Sequence, residues 1–186
     1  MDFVFVSGNL ALDLLGTLKW RRTRPEEGLA TPEDAARWAL AAGVLTEPPP
    51  LDVTEFDQLI AVRESIYGLV EAARNRTAPH GSDLRMLNTA ANQPLPALAL
   101  TAEGARRTGP LGAVTAEVAR AAVAFLDELQ KPTPPRVREC ERPECTRVFI
   151  DRSRAGTRSW CGMAECGNRV KAREYRARRA ARHPQS

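Results

Sequence analysis

Apolar residues recur at helical spacing through most of residues 9–130. Leu10, Asp13, Leu14 and Thr17 follow Asn9 at that spacing and predict a helix capped by Asn9 and running to Lys19, behind a short strand at Phe3–Val6. Thr31-Pro-Glu-Asp34 is a helix start, with a hydroxyl at the cap, Pro in the first turn and acids behind it. That helix should stop at Gly43, with Ala35, Trp38, Ala39 and Ala42 inward, so Trp38 is read as core. Asp52-Val-Thr-Glu55 resembles a capping box. Phe56, Leu59, Ile60, Val62, Ile66, Leu69 and Val70 then mark a long amphipathic helix to about Asn75. Ser82 is the expected cap of a helix over 83–91. Leu98–Thr101 with a turn at Gly104 reads as a β-hairpin. Val114–Gln130 is helical again, with Val118, Ala121, Ala122, Phe125, Leu126 and Leu129 inward.

Lys131-Pro-Thr-Pro-Pro135 ends that helix and stiffens the connection to the C-terminal segment. It divides the chain into a mostly helical domain, 1–135, and a small module, 136–186. The fold class expected is mainly α (α+β). The first domain should fold without the second.

Charge sharpens the division. Residues 136–186 hold 14 of the 27 Lys and Arg and 6 of the 23 Asp and Glu, a net of +8, which leaves −4 on the body. A concentrated positive field attracts polyanions whatever fold carries it. Arg outnumbers Lys 24 to 3 over the whole chain, so part of the bias is open to a compositional explanation. With 43% hydrophobic and 27% charged residues the chain reads as a soluble globular protein. There is neither a membrane-spanning run nor a secretory signal pattern, so the expectation is a cytoplasmic protein with no membrane partner.

All four cysteines lie past the prolines, as Cys140 and Cys145, then Cys161 and Cys166, each pair separated by four residues. Two close pairs joined by a loop supply the four soft ligands of a tetrahedral Zn2+ and close a module too small for its own core. Disulfides are the alternative, which a reducing compartment disfavours. Between the pairs, Arg147–Ile150 alternates like a strand, residues 151–156 read as a turn and Thr157–Trp160 as the returning strand. Phe149, Ile150 and Trp160 are candidates for the apolar contacts around the metal. From Cys166 to Arg182 nothing interrupts a helix, a rod on the order of 25 Å at about 1.5 Å per residue. Arg169, Arg173 and Arg176 share one face, and Lys171, Arg178 and Arg182 extend the charge around it. Such a helix has almost no apolar stripe with which to dock on a core. Arg158, Arg169, Lys171, Arg173, Arg176, Arg178, Arg179 and Arg182 are therefore the candidate nucleic-acid contacts.

At these residues the chain resembles the CGNR zinc-finger family, whose four letters stand here as Cys166-Gly167-Asn168-Arg169. The likeness extends over Cys140, Cys145, Phe149, Asp151, Ser153, Arg158, Trp160, Cys161, Met163, Lys171 and Arg173. Members typically join this finger to an N-terminal ABATE domain, described as a stress-induced transcription regulator. Residues 8–17 here are similar to that domain's start, with Gly16 where Asn is expected. The resemblance implies a treble-clef-like finger, one structural Zn2+ per chain and a DNA-binding regulator of bacterial type. It also implies structural roles for Asn168, as a helix cap, and for Arg169, as a tie between the knuckle and a neighbour.

Three rival classes compete with a DNA-binding regulator. An enzyme lacks support, because nothing suggests a catalytic arrangement around His80 or His183 and four thiolates close the zinc shell. An RNA- or ribosome-associated module is disfavoured by the scarcity of stacking aromatics, Tyr175 being alone in the helix. A protein-interaction adaptor is the third. For the body the open roles are homodimerisation, binding of a small effector between its helices, and shielding of the finger.

Overall fold

A computed structural model describes residues 3–182, except for the side chains of Glu174, Ala177, Arg178, Ala180, Ala181 and Arg182. The body holds five helices: α1 (Leu10–Leu15), α2 (Pro32–Ala41), α3 (Val53–Asn75), α4 (Gly81–Ala91) and α5 (Leu111–Leu129). Two antiparallel hairpins accompany them, β1 (Leu18–Lys19) with β2 (Glu26–Glu27), and β3 (Ala97–Thr101) with β4 (Gly104–Thr108). The module adds a third pair, β5 (Val137–Glu139) with β6 (Val148–Ile150), then a π-helical turn, Met163–Gly167, that runs on into α6 (Asn168–Arg182). Among the described residues no helix is long and apolar enough to cross a membrane.

The caps explain why helices start where they do. Asn9 Oδ1 accepts from the amides of Ala11 (2.9 Å) and Leu12 (3.4 Å). Thr31 and Asp34 form a reciprocal capping box, and Asp52 accepts from Glu55 N at 3.0 Å. Helices α3, α4 and α5 pack on one another with α1 and α2 against α3 and α5, burying Leu12, Leu14, Trp38, Leu59, Ile66 and Phe125.

Several boundaries depart from expectation. Helix α1 ends at Leu15 rather than Lys19, because Leu18 and Lys19 pair with Glu27 and Glu26. Helix α4 starts after His80 instead of Ser82, and α5 starts at Leu111. Phe3–Val6 is not a strand. Its carbonyls at Val4 and Val6 are taken by the Arg147 and Arg158 guanidiniums rather than by a neighbouring backbone. The partner of β6 is β5, and Thr157–Trp160 forms no strand, since Thr157 N donates to Ser153 Oγ and Arg158 N to Asp151 Oδ2.

The module does not hang from the body on a stiff tether. Val148 and Ile150 belong to the body's own apolar core, with Val137 packed against it. Ile150 N donates to Ser7 O at 2.8 Å, and Arg21 N to Thr146 Oγ1 at 3.2 Å. Arg74 and Arg22 of the body both reach Glu139 on β5.

Candidate metal centre and basic helix

The two cysteine pairs are brought together by different local structures. The first loop is closed by Cys140 N donating to Arg147 O (3.0 Å) and Cys145 N to Arg142 O (2.8 Å). Glu141 N donates to Ser159 O, drawing in the segment that leads to Cys161. Cys166 lies in the π-turn, where its amide donates to Gly162 O at 3.0 Å. Asn168 is therefore not a helix cap; it continues a run already begun at Met163, with φ −65°, and the extended residue in front of that run is Gly162.

All four Sγ atoms are buried and lie within 4.8 Å of one another, Cys145–Cys161 at 4.0 Å and Cys161–Cys166 at 3.6 Å. A disulfide would need roughly 2.05 Å. A tetrahedral zinc with Zn–S bonds of about 2.3 Å separates its sulfurs by roughly 3.8 Å. The donor set thus fits one structural Zn2+. The electrostatics point the same way. Hydrogen bonds from Cys145, Cys161 and Cys166 hold the Cys140 thiol far below its ordinary range, and the ionised Cys140 pushes Cys145 and Cys161 above it. Cys166, which Cys140 raises and Cys145 and Cys161 lower, comes to about 7. Four sulfurs so close do not all ionise on their own; a divalent cation lets them. Arg142 Nη1, 3.9 Å from Cys166 Sγ, adds a donor outside the shell.

Phe149, fully buried, and the half-buried Trp160 pack on the cysteines, as does Val6 from the chain's start. Ile150 instead turns to the body's core. Asp151 accepts from Ser153 N, Ser153 Oγ (2.6 Å) and Arg158 N (3.1 Å). The Ser153 hydrogen bonds hold its carboxyl below the usual range.

The predicted basic contacts separate into groups. Arg158 is a structural residue: its guanidinium lies 4.2 Å from the Phe149 ring centroid and donates to the carbonyls of Trp160, Val6 and Cys161. Arg169, Lys171, Arg173, Arg176 and Arg179 are exposed along α6. Arg169 also borders a cleft of about 200 Å³ between module and body, together with Gly16, Lys19, Arg142 and Arg147. The side chains of Arg178 and Arg182, and the whole of His183, lie outside the described residues.

Sequence reasoning missed Arg147, which is buried and donates to Val4 O (2.7 Å) and Gly16 O (3.3 Å). A side chain at position 16 would place its Cβ 2.9 Å from this guanidinium, so the glycine at 16 is what lets Arg147 lie this close to the end of α1. The one signal in the chain is Gly16 itself, standing where the resemblance expects Asn.

Residues 8–128 match the model of the ABATE family, described as "Putative stress-induced transcription regulator". The chain belongs to the ABATE family. Residues 136–179 match the CGNR zinc finger, so the ABATE domain and the finger meet across the proline segment. No curated protein matches the chain.

Proposed function

We propose that this ABATE protein is a cytoplasmic, zinc-dependent DNA-binding transcriptional regulator, in which α6 contacts duplex DNA and the ABATE domain regulates or dimerises. The supporting observation is the row of exposed basic side chains at Arg169, Lys171, Arg173, Arg176 and Arg179 on a helix whose first turn follows directly from the ligand Cys166. Among the described residues α6 packs chiefly on the π-turn, which leaves its length to a polyanion or to solvent. Arg169, Arg173 and Arg176 occupy one face, the geometry by which a helix enters a major groove. No catalysis is assigned: four thiolates complete the zinc shell and leave no position for a substrate.

Each Lys or Arg that neutralises a phosphate releases counterions, so affinity for duplex DNA should fall with salt at a log–log slope of about −0.9 per contact. Binding to pooled random duplexes across a salt series is the test. Arg173→Ala and Arg176→Ala should each weaken binding and reduce the slope by roughly one unit. Unchanged affinity and slope in both variants would reject the reading. Stronger binding to single-stranded RNA than to duplex DNA would favour an RNA-binding module instead.

A further inference from the structure

A second cavity, of about 480 Å³, opens between α3, α4 and the start of α5. That is within the range of sites for small organic molecules, about 300–1,000 Å³. Its walls are apolar: Val62 from α3, Met86 and Ala90 from α4, Leu95 and Pro110 from the connections, Ala113 from α5. Gln58, Thr89, Gln93 and Thr115 add neutral polar groups, and Glu55 is the one ionisable residue in the lining.

Glu55 is out of place there unless it has a partner. Its Oε2 is buried and has no hydrogen-bond partner. Thr115 Oγ1 does not serve it, being donated to Leu111 O at 2.9 Å. Arg120, which reaches the end of α4, is likewise committed, donating to Ala91 O and Gln93 O. Buried carboxylate oxygens are almost always paired, because one cut off from water and left without a donor loses its hydration and gains nothing in return. The backbone nearby makes room for the carboxylate. Helix α5 has Gly112 in its first turn, and a Cβ there would stand 3.1 Å from Glu55 Oε1. Glycine is a poor helix former, so its placement at this point leaves room for the carboxylate at some local cost.

We propose that this cavity binds a small organic cation, an amine carried on an apolar body, with the ammonium donating to the Glu55 carboxylate and the hydrocarbon lying along Val62, Met86 and Leu95. A lining with one acid and no base excludes anions, and an ammonium forms a charge-assisted hydrogen bond that a neutral donor does not match. This site goes beyond the DNA-binding reading and is measured without DNA, so either can fail alone.

The test is calorimetric titration of the full-length zinc-loaded protein with phenethylamine and isoamylamine, each against its alcohol, phenethyl alcohol and isoamyl alcohol. At least one amine should bind about tenfold more tightly than its alcohol, a free-energy preference of the size a charge-assisted bond provides. Glu55→Gln should bring that amine down to the alcohol's affinity while leaving the alcohol unchanged. Backbone amide shifts in the wild type supply a readout that needs no variant: the amine should perturb Glu55, Gly112 and Ala113 more than the alcohol does. Equal binding of amine and alcohol, a preference that survives Glu55→Gln, perturbations elsewhere on the protein, or no binding at about 10 mM of either amine would overturn the proposal.

Discussion

Arg63 sits in the middle of α3 with its side chain 2% exposed, an unusual place for a charge. Each of its nitrogens is engaged: Glu27 takes two of its bonds (2.7 and 2.6 Å), Glu64 one (2.8 Å) and Thr17 Oγ1 another (3.0 Å). The pair pins the β1–β2 hairpin to the long helix. Burial resists ionisation of Glu27, but the Arg63 hydrogen bonds prevail and hold its carboxyl below the ordinary 4.5. A carboxylate with a depressed folded value stabilises fully above its unfolded value, and that stabilisation is lost as pH falls below about 4.5 through the folded one. Arg63→Met should therefore destabilise by about 2–4 kcal/mol near neutrality, once the partly exposed Glu27 is discounted for solvent screening. Urea melts should show that difference constant between about pH 6 and 8 and shrinking below pH 4.5; a difference that persists undiminished in acid would refute the pairing. Neither Arg63 nor Arg147 was legible in the sequence. Arg63, on a periodic helix, and Arg147, just ahead of a strand, both score as surface positions, and the acceptors that tie them into the fold, at residues 17 and 27 for the first and 4 and 16 for the second, are far away along the chain.

Elements were legible where local chemistry alone decides them. The capping box at Thr31, the cap at Asp52 and the turn at Gly104 yield α2, α3 and the β3–β4 hairpin close to their expected limits. Expectations failed where side chains from distant segments take over backbone groups, as at Phe3–Val6 and Thr157–Trp160. The finger stands between these cases: cysteine spacing identifies the ligands, but not that β5, ahead of them, completes the sheet. An element so poor in apolar contacts depends on its metal. The purified protein should carry one zinc per chain, and Cys161→Ser should lose it, with the α6 contribution to far-ultraviolet circular dichroism falling as well. Acid should release the ion, since each thiolate must be free of its proton to bind. Metal analysis that finds zinc retained in Cys161→Ser would remove this cysteine from the ligand set.

At the scale of the whole molecule, the ABATE domain and the finger form a single packed unit, although their family matches are separate. Val148 and Ile150 are part of the body's core, and each such buried side chain contributes about 1.5–3 kcal/mol. Arg147 and Arg158 add hydrogen bonds to the carbonyls of Val4, Gly16 and Val6, which lose those donors when the finger leaves. The backbone of Arg147 also closes the Cys140 loop, so one residue joins the ligand knuckle to the end of α1. Metal and body are thereby coupled in both directions, as linkage requires of a ligand that binds the folded state. Calorimetry of the zinc-loaded protein should give one cooperative transition covering both parts. Chelation, or truncation to residues 1–135, should leave a helical body whose midpoint is lower by on the order of 10 °C, the shift expected when several kcal/mol are removed from a chain of this size. A body that melts at the same temperature with and without its finger would show that β6 contributes nothing to the core it enters, and would restore the picture of two independent domains joined by prolines.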